Sequence, residues 1–135
     1  MAWSLWAAGA REFFVVNLPN FALTPAVRQG PAAQGAAAQF TAAFNGGLNQ
    51  VLISLGALPG IHVRRLDSNA VLTSIVADPS AAGLTDVEDA CLTFGVVRNP
   101  FCHLPNDCLF RDGIHPTKAG HVLLAAAAKD VLTAP

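Results

Sequence analysis

The chain has 135 residues and a formal net charge of −1, enough for one domain and too few for two independent cores. Hydrophobic residues make up 53% of it and charged residues 13%, about half the usual charged share. That excludes a disordered chain and leaves no bulk field for nucleic acid or an anionic membrane. The apolar run from Val122 to Ala128 falls well short of the roughly 20 residues of a membrane span. The first residues, MAWSLWAAGAREFF, carry no basic stretch ahead of the apolar one and do not read as an intact signal peptide.

Residues 2–10 (AWSLWAAGA) read as the end of a helix closed by Gly9. Residues 13–18 (FFVVNL) form a short apolar run of aromatic and β-branched residues, the pattern of a strand buried on both faces of a parallel sheet. Pro19 and Pro25 then enforce a loop, and residues 28–38 (RQGPAAQGAAA) continue it into a helix. Phe40, Phe44, Leu48, Val51, Leu52 and Leu55 recur at three- and four-residue steps, which predicts an amphipathic helix ended by Pro59-Gly60. Residues 61–67 (IHVRRLD) predict a second, less buried strand. Ser68 is the expected cap of a short helix that stops before Pro79.

Residues 80–110 hold scattered Gly, Pro, Asn and Asp with no clean period. They predict a long loop, a feature that in compact domains usually serves function. PTKAGHVLLAAAAKDVL predicts a closing helix with Pro116 in its first turn. The alternation argues for an α/β fold with two parallel strands and flanking helices. Two strands are too few for a complete doubly wound sheet, so residues 1–135 read as one partial domain.

The segment FRDGIHPT, residues 110–117, carries the chemistry. An Asp three residues before a His, just ahead of a helix, puts both side chains on one turn. The Asp112 carboxylate can then hold Nδ1–H of His115, fix the tautomer and leave Nε2 free as a general base. The plain alternative makes Asp112 a turn residue that caps the approach to the last helix. Gly113 would permit the tight turn.

Three cysteines, Cys91, Cys102 and Cys108, fall in the predicted loop. An odd count fits one disulfide with a free thiol, or three free thiols. A zinc reading would add His103, but no CxxC pair is present, and neither a metal nor a cofactor is expected. His62 and His121 read as structural or solvated, and Arg64-Arg65 is too small a cluster for a nucleic-acid patch.

The 110–117 string resembles the last conserved block of the SGNH hydrolases, also called GDSL esterases and lipases, which reads Trp-Asp-x-x-His-Pro-Thr ahead of a helix. Asp112, His115, Pro116 and Thr117 match it, with Arg111 where the tryptophan often stands. GAREFFVVNLPNFALTPAV is similar to the family's strand-and-loop segment, with Asn20 in place of an aspartate. Cys91 and Cys102 look like the paired cysteines ahead of the last block. The resemblance covers almost the whole chain and is closest to the bacterial phospholipase/lecithinase-like and autotransporter-esterase branch. It implies the C-terminal part of a flavodoxin-like three-layer fold, a Cys91–Cys102 disulfide, and Asp112 and His115 as two members of a Ser-His-Asp triad. It also implies a secreted or periplasmic protein acting on acyl esters or lipids.

The family's Gly-Asp-Ser block and its oxyanion-hole blocks do not occur in this sequence. Ser54 and Ser74 lie within predicted helices and read as packing residues, Ser68 reads as a cap, and Ser4 and Ser80 have no glycine-rich elbow around them. Three readings follow: an ester hydrolase whose serine comes from elsewhere, an inert half-fold that self-associates or complements a partner, and a metal-assisted hydrolase using Asp112, His115 and the cysteine loop. Homo-oligomerisation is expected, because the 13–18 strand would be left with an open edge.

Overall fold

The computed structural model describes residues 2–92 and 102–134. Helix α1 (Ala2–Ala7) leads into strand β1 (Glu12–Val16). A 3-10 turn (Phe21–Leu23) and a one-turn helix α2 (Pro25–Arg28) follow, then the long helix α3 (Pro31–Gly56). Strand β2 (His62–Leu66), helix α4 (Ser68–Ala77), strands β3 (Asp86–Ala90) and β4 (Cys108–Phe110), and helix α5 (Lys118–Thr133) complete the order. β1 pairs with β2 in parallel, with Phe14 opposite Arg64, and β3 pairs with β4 in parallel. The architecture is α/β with parallel strands and flanking helices, as the alternation predicts.

Among the described residues there are four strands, where the sequence predicts two. β3 and β4 lie inside the segment expected to be a loop, of which residues 93–101 fall outside the described residues. The physical reason is visible in their composition. β3 reads DVEDA, with three carboxylates and a single buried residue, and β4 is only three residues long. Neither offers the alternation that marks a strand.

Other expectations shift by a few residues. α3 begins at Pro31 rather than near Phe40, because proline at a helix's first position and the alanines after it favour helix from there. Its Phe40, Phe44 and Val51 are exposed, and Thr41, Leu52 and Leu55 face inward. The cap of α4 is Asp67, whose carboxylate accepts the Ala70 N–H, so Ser68 is freed for a different bond. The cap of α5 is Thr117, which accepts the Gly120 N–H. Pro116 precedes that cap and forms an isolated antiparallel bridge with Phe110.

β1 departs furthest from its expectation. No residue in it is buried, and Phe14 and Val16 stand 40% and 45% exposed. Two-sided burial needs a helix layer on each face. Arg65 bonds Asn49 of α3 and Arg64 bonds carbonyls at the end of α5, so both layers reach β2. Neither covers the Phe14 side of β1. The compact core lies elsewhere, where Leu72 and Ile75 of α4 meet Leu84, Val87, Leu109 and Phe110.

Candidate active site

β4 delivers the site. Phe110 is 1% exposed and Leu109 2%, so the strand end is anchored in the core and the chain emerges from it at Arg111. The Cys91 and Leu92 N–H groups bond the carbonyls of Phe110 and Arg111, which prolongs the β3–β4 pairing to the mouth of the loop. The Arg111 N–H bonds the His115 carbonyl at 2.8 Å and closes the loop on itself. Thr117 then ties the far side back: its N–H reaches Leu109 O at 2.9 Å and its hydroxyl reaches Cys108 O at 2.6 Å.

Two glycines allow this close packing. A Cβ on Gly120 would stand 2.9 Å from Pro116 Cβ and 3.0 Å from Leu109 O, so only glycine lets α5 start beneath β4. At Gly113 the constraint is the neighbour, because an added Cβ would meet Ala26 Cβ at 3.2 Å. Ala26 N–H also donates to Gly113 O at 2.9 Å, which fastens the loop to α2. The sequence pointed to a turn requirement there; a close approach is what the structure has.

Within the loop, Asp112 Oδ1 accepts the backbone N–H of Ile114 at 2.9 Å and of His115 at 2.8 Å. The His115 ring turns back to the same carboxylate, with Nδ1 2.9 Å from Oδ2 and 3.1 Å from Oδ1. The two backbone donors, and then the imidazole, hold the Asp112 carboxyl down at about 2. It is therefore ionised throughout the neutral range and can only accept. In the neutral ring Nδ1 must carry the proton, and the Nε2 lone pair faces outward. The His115 side chain is 74% exposed and Asp112 18%, and among the described residues none hydrogen-bonds Nε2. Chemically, this geometry can serve as an oriented base, with Nε2 open to a reactant.

The remaining residues singled out in the sequence do not join it. Ser54 and Ser74 bond carbonyls of their own helices, Ser68 bonds Asn17 O, and Ser80 bonds Asp78. His62 lies 4.0 Å from Glu12 at the open end of the sheet, and His121 and His103 are exposed. Cys91 and Cys102 are bonded to each other, and Cys108 is free and buried.

Sequence reasoning missed three asparagines and aspartates that hold the strand ends. Asn17 donates to Asp67 at 2.8 Å and accepts from Asn69 N–H, which locks the end of β1 to the end of β2. That bond leads the causes that lower the Asp67 carboxyl below its usual value. Asn45 of α3 grips Leu18 by both its N–H and C=O at 2.9 Å. The available signal was position, since a short amide directly after an apolar strand is a common turn and cap residue.

An apolar cavity of about 70 Å³ lies behind the loop, lined by Ile114 and Pro116 with Phe21, Leu72, Ile75 and Leu124 among its walls. Ile114 and Pro116 are the two neighbours of His115 in the chain.

The family model for GDSL-like lipase/acylhydrolase matches residues 2–128. The chain is 33% identical over 136 residues to esterase EstA of Pseudomonas aeruginosa, covering 93% of this chain and 20% of that protein. It is 32% identical over 124 residues to a GDSL esterase/lipase of Arabidopsis thaliana, covering 90% of this chain and 36% of that one. A third relative is an uncharacterized protein from a trpE-trpG intergenic region of Pseudomonas putida, 31% identical over 99% of this chain and 24% of its own length. The chain thus spans between a fifth and about a third of these relatives.

Proposed function

The chain belongs to the GDSL-like lipase/acylhydrolase family, and from that premise we propose that it supplies the base and orienting acid of a serine-type ester hydrolase. His115 is the general base, and Asp112 holds its tautomer. The observation that carries this reading is the ionised Asp112 carboxylate on Nδ1, with Nε2 open to a reactant.

The chemistry follows from the geometry. A serine hydroxyl brought to Nε2 gives up its proton as its oxygen attacks the ester carbonyl. The imidazolium that forms is stabilised by Asp112 and returns the proton to the departing alkoxide. The same base then activates water to release the acid. Among the described residues no serine reaches Nε2, so the nucleophile and the oxyanion donors come from a Gly-Asp-Ser-bearing segment outside this sequence. Acyl esters, including lipids, are the substrate class.

The test is complementation. The purified chain alone should hydrolyse a short-chain nitrophenyl ester at a rate near free imidazole, with His115→Ala changing little. Mixed with a Gly-Asp-Ser-bearing segment from a relative, it should gain a rate that a serine-reactive phosphonate and His115→Ala both abolish. A fast rate in the mixture that survives His115→Ala would overturn the assignment.

The second reading is a half-fold that associates with another copy and performs no chemistry. The exposed Phe14 and Val16 beside a β1 edge that no strand among the described residues pairs with favour association. The complementation experiment separates the two, since an inert module gains no rate.

A further inference from the structure

The three cysteine sulfurs of the chain meet at one place. Cys91, just past the end of β3, Cys108, the first residue of β4, and Cys102 have Sγ atoms that all lie within 4.8 Å of one another. Cys91 and Cys102 are bonded. Cys108 is buried and free, with its Sγ 3.2 Å from that of Cys102. The ester chemistry proposed above uses none of these atoms.

We propose that the protein with this disulfide reduced holds a soft divalent cation, of the zinc and cadmium class, on the thiolates of Cys91, Cys102 and Cys108. A tetrahedral zinc site with Zn–S bonds of about 2.3 Å places its sulfurs roughly 3.8 Å apart. The three Sγ atoms lie within 4.8 Å of one another, so side-chain rotation after the S–S bond opens is enough to bring them to that spacing. Two thiols, becoming a disulfide, supply the two electrons and two protons that convert the bond into two thiols; a phosphine supplies the electrons and becomes its oxide, with water giving the protons. The cation then displaces three thiol protons, and water completes the fourth position. His103, which sequence reasoning would add as a ligand, is exposed and does not belong to the sulfur group.

The backbone holds these ligands together without a CxxC spacing. Cys91 N–H bonds Phe110 O at 3.0 Å, which fixes the ends of β3 and β4 side by side, and Cys102 N–H bonds Cys91 O at 2.7 Å. Strand pairing therefore sets Cys91 beside Cys108, and the backbone bond to Cys91 keeps Cys102 next to both. Disulfide and metal exclude each other, so occupancy would report the redox state of the surroundings.

Cobalt(II) is the probe. The full chain, reduced with a phosphine under anaerobic conditions, should take one equivalent and develop a thiolate-to-cobalt charge-transfer band that zinc abolishes. Cys108→Ser should weaken cobalt binding by about tenfold or more, at least the loss seen for supporting residues around metal sites. Because that variant replaces a buried residue, a second readout uses the unaltered chain: one equivalent of zinc should slow alkylation of all three thiols, and a chelator should restore it. Absence of the band, absence of protection, or equal affinity in Cys108→Ser would overturn the proposal.

Discussion

His115 Nδ1 lies 2.9 Å from Asp112 Oδ2, while the backbone N–H of His115 donates to Oδ1 of the same carboxylate at 2.8 Å. One carboxylate therefore fixes both the ring and the backbone of the residue beside it. These two roles separate under mutation. Asp112→Asn keeps an oxygen for the backbone donors of Ile114 and His115, but its amide N–H can donate to Nδ1. It should leave stability near that of the parent while moving the ring proton to Nε2. Asp112→Ala removes the acceptor as well and should cost about 0.5–2 kcal/mol, the range of a lost helix cap. Thermal unfolding and nitrogen chemical shifts of His115 measure the two effects. An unchanged tautomer in Asp112→Asn would refute the orienting role.

The same carboxylate predicts an acid limb in stability. Its folded value is about 2 against an ordinary 3.8. A group whose value is depressed by folding stabilises the fold fully above its unfolded value, and that contribution is lost as pH falls toward the folded one. Asp67, lowered first by the Asn17 side chain and then by the Ala70 N–H, adds in the same direction. Unfolding midpoints should hence stay level for these groups above about pH 5 and drop between roughly pH 4 and 2. The drop should shrink in Asp112→Ala. An identical acid limb in the variant would show that Asp112 contributes nothing to it.

The residues near the two ends of the chemistry were legible for different reasons. Asp112 and His115 were readable because their relationship is local: three residues apart, ahead of a helix, the pair needs no distant partner. β1 was readable because aromatic and β-branched residues cluster there, and β2 because its residues alternate. β3 was not, since DVEDA is held by pairing with β4 and by the single inward Val87, and pairing leaves no mark on composition. The exposure of Phe14 was likewise hidden, because an apolar run records that a residue prefers to be covered and says nothing of what covers it. Asn17 and Asn45 grip partners 50 and 27 residues away in sequence, a separation that no window along the chain can detect.

A disulfide that joins Cys91 to Cys102 and leaves Cys108 free makes a simple count. Without reductant, the unfolded chain should accept one alkyl group, carried by Cys108. After reduction it should accept three, and peptide mapping should recover Cys91 linked to Cys102. Closing a loop of about this size stabilises by about 3 kcal/mol in the chain-entropy account, a model-dependent figure. Reduction should therefore lower the unfolding midpoint by several degrees in a domain of this size. Three alkylatable thiols in the non-reduced chain would contradict the pairing.

The last prediction concerns association. β1 pairs on one edge with β2, and among the described residues no strand lies on its other edge. That edge presents backbone N–H and C=O groups to any extended segment that reaches it. Phe14 and Val16 project from the face opposite the α3 side, both more than a third exposed, and Trp3 of the preceding helix is 46% exposed. At about 25 cal/mol per Å², a few hundred Å² of such surface left in water forgoes several kcal/mol, comparable with the whole stability of a small domain. A symmetric dimer that brings two β1 edges or faces together recovers it. Phe14→Glu should then give a folded monomer, since its side chain is not needed by the Leu72–Phe110 core. Val15→Lys should instead lose stability, because Val15 lies beside Leu48 and Leu52 beneath α3. Light scattering across the micromolar range, paired with circular dichroism, separates the two variants. A parent chain that is a stable, cooperatively folding monomer throughout that range would show that this surface is tolerated in water and would remove the case for a partner on it.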